Sequence, residues 1–508
     1  MPRSVEGVSC GNRTKVGTRI LNAIGTWKDV RWVRRSIPTM SWTLVCTAWV
    51  LGLSSCTLLN RVDACGERGA VPHDVNTRTE GAQTIEQFGL AATVGGGAML
   101  VFTSTDTATG LAEVRRTRTG PTADSRPTCE VRGEPTISPP AGEQGASFDW
   151  PVTASATVSG ESGIVVWREV RDGRTRLWGA MVTNNGCINL QGITPPILIA
   201  EPDPSSAIGF AHAVALGPRV PSPSTAQRYA ISWTEETQSG TNDIGTHLFG
   251  VVTPLPLNAA TFQPTVNQPD GSKASLTPDG DLPANHTLVK LEDGRFGLLW
   301  YENSSLGARV RFATLDDTFR VIAGPVTLTS TPLPSGAPTS LAAAYDGAQI
   351  LVAWVAPDEQ SSEHAYATFL DTQARLLRSE RSPGGSPFRL GSTDEATETD
   401  LGMTSLSGGG FLTAWTEHNT RESAVGTHLR GIGLSAEGRV MFSRSACDRT
   451  DFALAPELDG DQSKPQLATL DDRTLLLMYT NLGGGATDDR NGTGIRGTGL
   501  KQEDLFAQ

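Results

Sequence analysis

The sequence is short of aromatic residues, at 6% of 508 positions, and it has 7 Cys and 7 His. It contains no Cys-x-x-Cys pair and no His-rich spacing, which removes the usual zinc arrangements. Beyond residue 55, neither a Gly-x-x-x-x-Gly-Lys phosphate loop nor a Gly-x-Ser-x-Gly nucleophile elbow occurs. Beyond position 60 there is no amphipathic helical run of useful length. Turn formers take that place: 55 Gly and 31 Pro suit many short strands joined by turns. The fold class expected is all-β.

Basic residues are also scarce, 42 Lys and Arg against 54 acids. Eight of the bases and only Glu6 and Asp29 of the acids fall within residues 1–55, so the remainder carries a net charge of about −18. A body that acidic excludes nucleic acid as a partner, because phosphates demand Lys and Arg patches. It also disfavours lying on anionic lipid through its own surface.

What the chain does have is a recurring phrase. Its clearest copy is Ile350-Leu351-Val352-Ala353-Trp354, preceded by Asp346-Gly347. Equivalent runs end in Phe102, Trp167, Trp233, Trp300, Trp415 and Tyr479, at spacings of 54 to 67 residues. Self-similarity at a fixed period marks a repeat architecture. Each phrase has the length and composition of a buried strand, with a second apolar strand before its turn and a third after a polar loop. The third strands share Gly-Thr-His-Leu at 245–248 and again at 426–429. Together these predict a single seven-bladed β-propeller of roughly 60-residue blades over residues 86–505.

Residues 1–55 combine a basic region with an apolar run from Trp42 to Leu53, the pattern of a secretory signal rather than a membrane span. The ending Leu53-Ser54-Ser55-Cys56 resembles the lipobox of bacterial lipoproteins. That resemblance implies cleavage before Cys56 and its lipidation. Starts at Met1 and at Met40 both fit this reading. Residues 56–85 read as a tether with a closing strand for the last blade. With Cys56 lipidated, Cys65, Cys129, Cys187 and Cys447 remain, an even number suited to disulfides in an oxidising compartment, with three pairings open.

Several residues are candidates for chemistry. The signature aromatics are expected to pack between blades and to offer indole N–H groups to backbone carbonyls. Trp150 and Trp178 break the period and are better candidates for a sugar platform. Polar residues follow the aromatics (Arg168-Glu169, Thr234-Glu235-Glu236, Glu302-Asn303, Asp358-Glu359, Thr416-Glu417-His418), and paired carboxylates among them serve glycoside hydrolysis if correctly spaced. Capping of turns is the commoner use of such acids. His247 and His428 occupy equivalent repeat positions nearly across the axis, close enough to reach the channel, and are expected to be turn or strand histidines, whereas His212, His364 and His418 share no phase. Asp279, Asp281, Asp459 and Asp461 lie in two Asp-Gly-Asp turns and are weak calcium candidates. No other cofactor is expected, and the sialidase signatures Ser-x-Asp-x-Gly-x-Thr-Trp and Arg-Ile-Pro are missing.

The repeat as a whole is similar to those of exported lipoproteins of myxobacteria and related Gram-negatives, which implies a lipid-anchored protein of the outer membrane, facing the periplasm or the surface. The expected role is a non-catalytic binding or scaffold platform, monomeric, for an envelope protein or glycan. The alternatives are a polysaccharide-acting hydrolase or lyase and a calcium-stabilised structural protein.

Overall fold

The computed structural model describes residues 73–74, 83–84 and 88–502, the last apart from 94–96, 107–110, 121–145, 156–161, 184–195, 217–227, 239–243, 255–281, 293, 305–306, 330–332, 334–339, 359–361, 392–395, 420–425, 442–450, 455–459, 471–472 and 483–492. Contacts divide the chain into Met1–Ala64 and Cys65–Gln508, and every described residue belongs to the second unit. Cys56, Cys65, Cys129, Cys187, Cys447, Asp279, Asp281 and Asp459 all lie outside the described residues.

Two short strands come first, β1 (His73–Asp74) and β2 (Gln83–Thr84). They are followed by β3 (Phe88–Thr93), β4 (Gly97–Asp106) and β5 (Leu111–Thr119). The next meander is β6 (Ser147–Ser155), β7 (Ser162–Arg171), β8 (Arg174–Thr183) and β9 (Ile197–Ala200). A three-strand sheet follows, β10 (Ser206–Ala215), β11 (Arg228–Gln238) and β12 (Ile244–Pro254). Then come β13 (Leu282–Lys290), β14 (Phe296–Ser304), β15 (Gly307–Leu315) and β16 (Val321–Thr327). The fifth group is β17 (Leu341–Tyr345), β18 (Ile350–Pro357), β19 (Glu363–Leu370) and β20 (Phe388–Arg389). The sixth is β21 (Ala396–Ser405), β22 (Phe411–Asn419), β23 (Thr427–Leu434) and β24 (Phe452–Ala453). The last is β25 (Asp461–Thr469), β26 (Thr474–Leu482) and β27 (Thr493–Lys501).

These strands form an all-β propeller of antiparallel sheets. Six sheets carry four strands, and the sheet β10–β11–β12 carries three. The expectation of seven four-stranded blades is therefore corrected to six among the described residues; the segment that follows β12, 255–281, lies outside them. In one of the six, β2 and β3 lie end to end along the same edge of β4. In the last, β1 adds to the chain's final strand, with His73 opposite Gly497 and Asp74 opposite Arg496.

The phrase noted in the sequence is the second strand of each sheet. β18 is buried from Ile350 through Ala356, with no alternation, because both of its faces meet a neighbouring sheet. The turn before it is set by Asp346, whose Oδ1 accepts from the amides of Ala348 (3.0 Å) and Gln349 (2.9 Å), while Gly347 supplies φ +100°. Core clusters are shared between adjacent sheets: Ile164, Val166 and Leu177 pack on Ile208, Tyr229 and Trp233. The cluster that closes the ring joins Phe88, Leu100 and Phe102 to Leu476, Met478 and Ile495. All seven signature aromatics are buried, none more than 4% exposed. Their indoles depart from expectation: Trp233 Nε1 donates to the Glu235 carboxylate (2.9 Å), and those of Trp167, Trp300 and Trp415 find no partner among the described residues.

The first strands lie innermost. Neighbour touches neighbour in the order β3, β6, β10, β13, β17, β21, β25, and β25 returns to β3. That closed ring surrounds the axis and positions everything that follows.

Candidate functional site at the mouth of the central channel

Five of the innermost strands contain a β-bulge, and each bulge falls opposite the signature aromatic or within two residues of it. Register shifts between Asp149 and Val152, Ile208 and Ala211, Pro283 and Asn285, Thr399 and Leu401, and Ser463 and Gln466. A bulge adds a residue to one strand, bends it and re-aims its side chains. Here it turns Trp150, Phe210, Asn285, Asp400 and Lys464 toward the axis, where they line a cavity of about 280 Å³. His212, His286, Ser340 and Gln466 complete its polar wall, with Phe88 and Leu401 among the apolar lining. Trp150, Asp400 and Lys464 have φ of 48°, 42° and 54°, a left-handed conformation that costs a non-glycine residue on the order of 1–3 kcal/mol and that clusters at functional sites.

After two of the aromatics, Trp167 and Trp415, the next residue braces the bulges beside it. Arg168 Nε donates to Asp149 Oδ1 (2.7 Å), its Nη1 to the Ile208 carbonyl of the next sheet (3.0 Å), and its guanidinium stacks 3.6 Å from the Trp150 ring centre. Phe210 covers the other face of Trp150 at 4.9 Å and 6°. Trp150 is therefore sandwiched, and the aromatic surface left for a ligand is the outer side of Phe210. Thr416 Oγ1 donates to Asp400 Oδ2 (3.2 Å) and accepts from the Lys464 amide (3.3 Å). At Gly209 a Cβ would lie 2.4 Å from Thr234 Oγ1, so only glycine lets that hydroxyl approach the bulge.

Two imidazoles stand side by side on the wall formed by β10 and β13. His212 and His286 meet edge to face at 5.1 Å and 72°. Burial pushes the His212 pKa down to about 4. Burial also holds His286 well below its ordinary value, with the neighbouring His212 adding to the effect and the Ser232 hydrogen bond opposing it. His286 Nε2 shares a 2.8 Å hydrogen bond with Ser232 Oγ, while its buried Nδ1 makes none among the described residues. Both rings are neutral at ordinary pH, ready to accept or share a proton. Across the ring stand Asp400 and Lys464, and Ser340 Oγ accepts from the Leu401 amide (2.8 Å).

The residues singled out in the sequence are dispersed by the fold. Trp150 reaches the site as a brace rather than a platform. Trp178 lies on a third strand, is half-buried, donates to Glu169 Oε2 (2.6 Å) and does not line the axial cavity. The post-aromatic acids do not line the axial cavity. Glu169 pairs with Arg171 (2.8 Å) and Glu302 with Arg311 (2.7 Å), each within its own sheet, and Glu417 is buried. His247 and His428 are strand residues, as expected: they sit on third strands, opposite Glu235 and Glu417. His364 is a buried strut, 3.2 Å from Asp358 and 2.8 Å from Arg389, and His418 is exposed. Asp461 is exposed and accepts from the Thr427 amide (2.9 Å); no group of three metal-ligating side chains occurs among the described residues.

His212 was visible in the sequence and set aside for want of a matching phase; Phe210, Asn285, His286, Asp400 and Lys464 were missed. Their signal is an interruption of the first strand. Trp150-Pro151 and Lys464-Pro465 put proline inside a strand, which marks an edge or a bulge.

No family model matches the chain, and no curated protein matches it. Among solved structures it is similar to a protein of unknown function from Dyadobacter fermentans (9% identity, TM-score 0.42, 85% of this chain and 98% of that one). It is also similar to an alpha-L-arabinanase of Penicillium chrysogenum (10%, 0.41, 86% and 99%) and to an alpha-L-arabinofuranosidase of Fusarium graminearum (9%, 0.43, 86% and 98%). Likeness this loose assigns no activity, and the reading below rests on the site itself.

Proposed function

We propose that the protein binds a polysaccharide at the mouth of its central channel and acts on it there. The observation that carries this is the axial cavity, where five bulged strands converge an aromatic surface and short polar groups. A sugar ring pairs an apolar face with a belt of hydroxyls, so it is held by a stacking surface beside donors and acceptors. Phe210 serves the first need, and Asn285, Ser340 and Asp400 serve the second. A non-catalytic platform is the weaker reading, because strained backbone and displaced histidine pKa values in one recessed site are hallmarks of reactive centres.

Three further elements belong to this proposal. The sheet β10–β12 counts as a seventh blade. Residues 1–55 direct export, and Cys56 anchors the chain by lipid at the cell envelope. A polysaccharide is the kind of partner such a location offers.

The test is titration calorimetry with a panel of neutral and acidic oligosaccharides. One class is expected to bind the wild type at a single site, and Phe210→Ala to weaken it by about tenfold, equivalent to ~1.4 kcal/mol. Equal affinity in the variant, with an unchanged melting transition, contradicts placement of the site at the channel mouth.

A further inference from the structure

The geometry points to elimination rather than hydrolysis as the reaction of this site, with a uronate-containing polysaccharide as substrate and His212 as the base. This rests on the polysaccharide reading and narrows it. Glycoside hydrolysis needs two carboxyl groups facing one bond, about 5–10 Å apart. Asp400 is the one carboxylate on the described cavity wall. Glu363 lies near enough for the Asp400 charge to add to the burial that raises its pKa, yet it is not part of that wall.

What the wall does supply is a pair of neutral imidazoles opposite a lysine and beside an amide. Proton abstraction next to a carboxylate needs those components: an uncharged base, and donors or a cation that stabilise the carboxylate as its neighbouring carbon gives up a proton. In a 4-linked uronate, His212 takes the proton from C5. The electron pair left behind forms the C4=C5 double bond, the C4–O bond breaks, and the leaving oxygen takes a proton from the imidazolium or from water. The reaction consumes no oxidant, reductant or metal.

Asn285 and Lys464 are placed to meet the carboxylate and Asp400 to accept from a sugar hydroxyl. His286 is a positioning residue: it packs edge-on to His212, is itself anchored by Ser232, and keeps a buried Nδ1 with no hydrogen-bond partner among the described residues. Besides these histidines, Asp400 and Lys464 are the titratable groups on the wall, so the pH response of the reaction reports on those four.

The experiment incubates the full chain with polygalacturonate, alginate and glucuronan. It follows the ultraviolet absorbance of the conjugated product and the masses of the fragments. Elimination gives unsaturated ends one water lighter than hydrolysis products. One of the three polymers is expected to yield them. His212→Ala is expected to lower kcat by about 10²-fold or more at an unchanged melting temperature. The wild-type rate should fall as pH drops through the depressed histidine pKa, and His212→Gln should not restore it. Saturated fragments would overturn elimination while leaving a polysaccharide-acting site. Polyuronate binding without cleavage, or activity undiminished in His212→Ala, would also overturn it. Failure to bind any saccharide, neutral or acidic, would remove the broader reading as well.

Discussion

At the scale of single residues, the site depends on side chains held where their backbone is uncomfortable. Trp150, Asp400 and Lys464 adopt left-handed φ values that glycine would take without strain. Trp150 is kept there by a guanidinium on one face and Phe210 on the other. Trp150→Gly should therefore relieve strain yet lose the stack. Its expected effect on oligosaccharide affinity matches that of Phe210→Ala, and a variant that binds as well as wild type would show the stack to be idle.

Charge burial gives a second residue-scale prediction. Glu398, fully buried on β21, has its pKa raised to about 7, chiefly by burial and further by Glu417 and Asp451, against the Ala365 amide and Arg389, which stabilise the carboxylate. Its folded-state pKa exceeds the ordinary 4.5, so its contribution to stability is full below 4.5 and is lost as pH rises through 7. His212 has the opposite sign: its depressed pKa makes the contribution full above 6.5 and lost as pH falls toward 4. Glu398→Gln should raise the melting temperature relative to wild type above neutrality and close that gap at pH 4.5. A gap that does not change with pH would contradict the assignment.

At the scale of elements, the two kinds of strand differ in how openly the sequence declares them. The second strands are packed on both faces, so their apolar runs are continuous and end in a large ring, and Val352-Ala353-Trp354 can be read directly. The first strands are packed on one side and face the axis on the other, and a bulge breaks their alternation at the functional position. Their polar residues therefore resemble loop residues in the sequence. The acids after the aromatics drew attention because they repeat, but they repeat for a structural reason, as partners of Arg171 and Arg311 and of the Trp233 and Trp178 indoles. The chemistry sits on the neighbouring strand, one pairing away. Trp354→Ala should cost about 3–5 kcal/mol in chemical denaturation, the range for emptying a buried ring site. A loss below 1 kcal/mol would mean that the signature ring is not a core element.

At the scale of the whole molecule, the first and last described strands meet: β1 pairs with β27, and the core cluster of Phe88, Leu100 and Phe102 spans the same join. Closure removes an open sheet edge and fixes the ring diameter, and with it the width of the channel mouth. Deleting residues 66–85 should lower the melting temperature and weaken saccharide binding together, since the axial wall draws on β3 and β25 on either side of the join. An unchanged melting curve would show that the closing strand contributes little.

The most direct test of the central claim is a crystal structure of the protein with an oligosaccharide from the class it binds. The account predicts a sugar ring in the axial cavity, against the outer side of Phe210 and hydrogen-bonded to Asn285 or Asp400. A sugar bound at the outer edge of a blade, with the channel mouth free of it, would contradict the account.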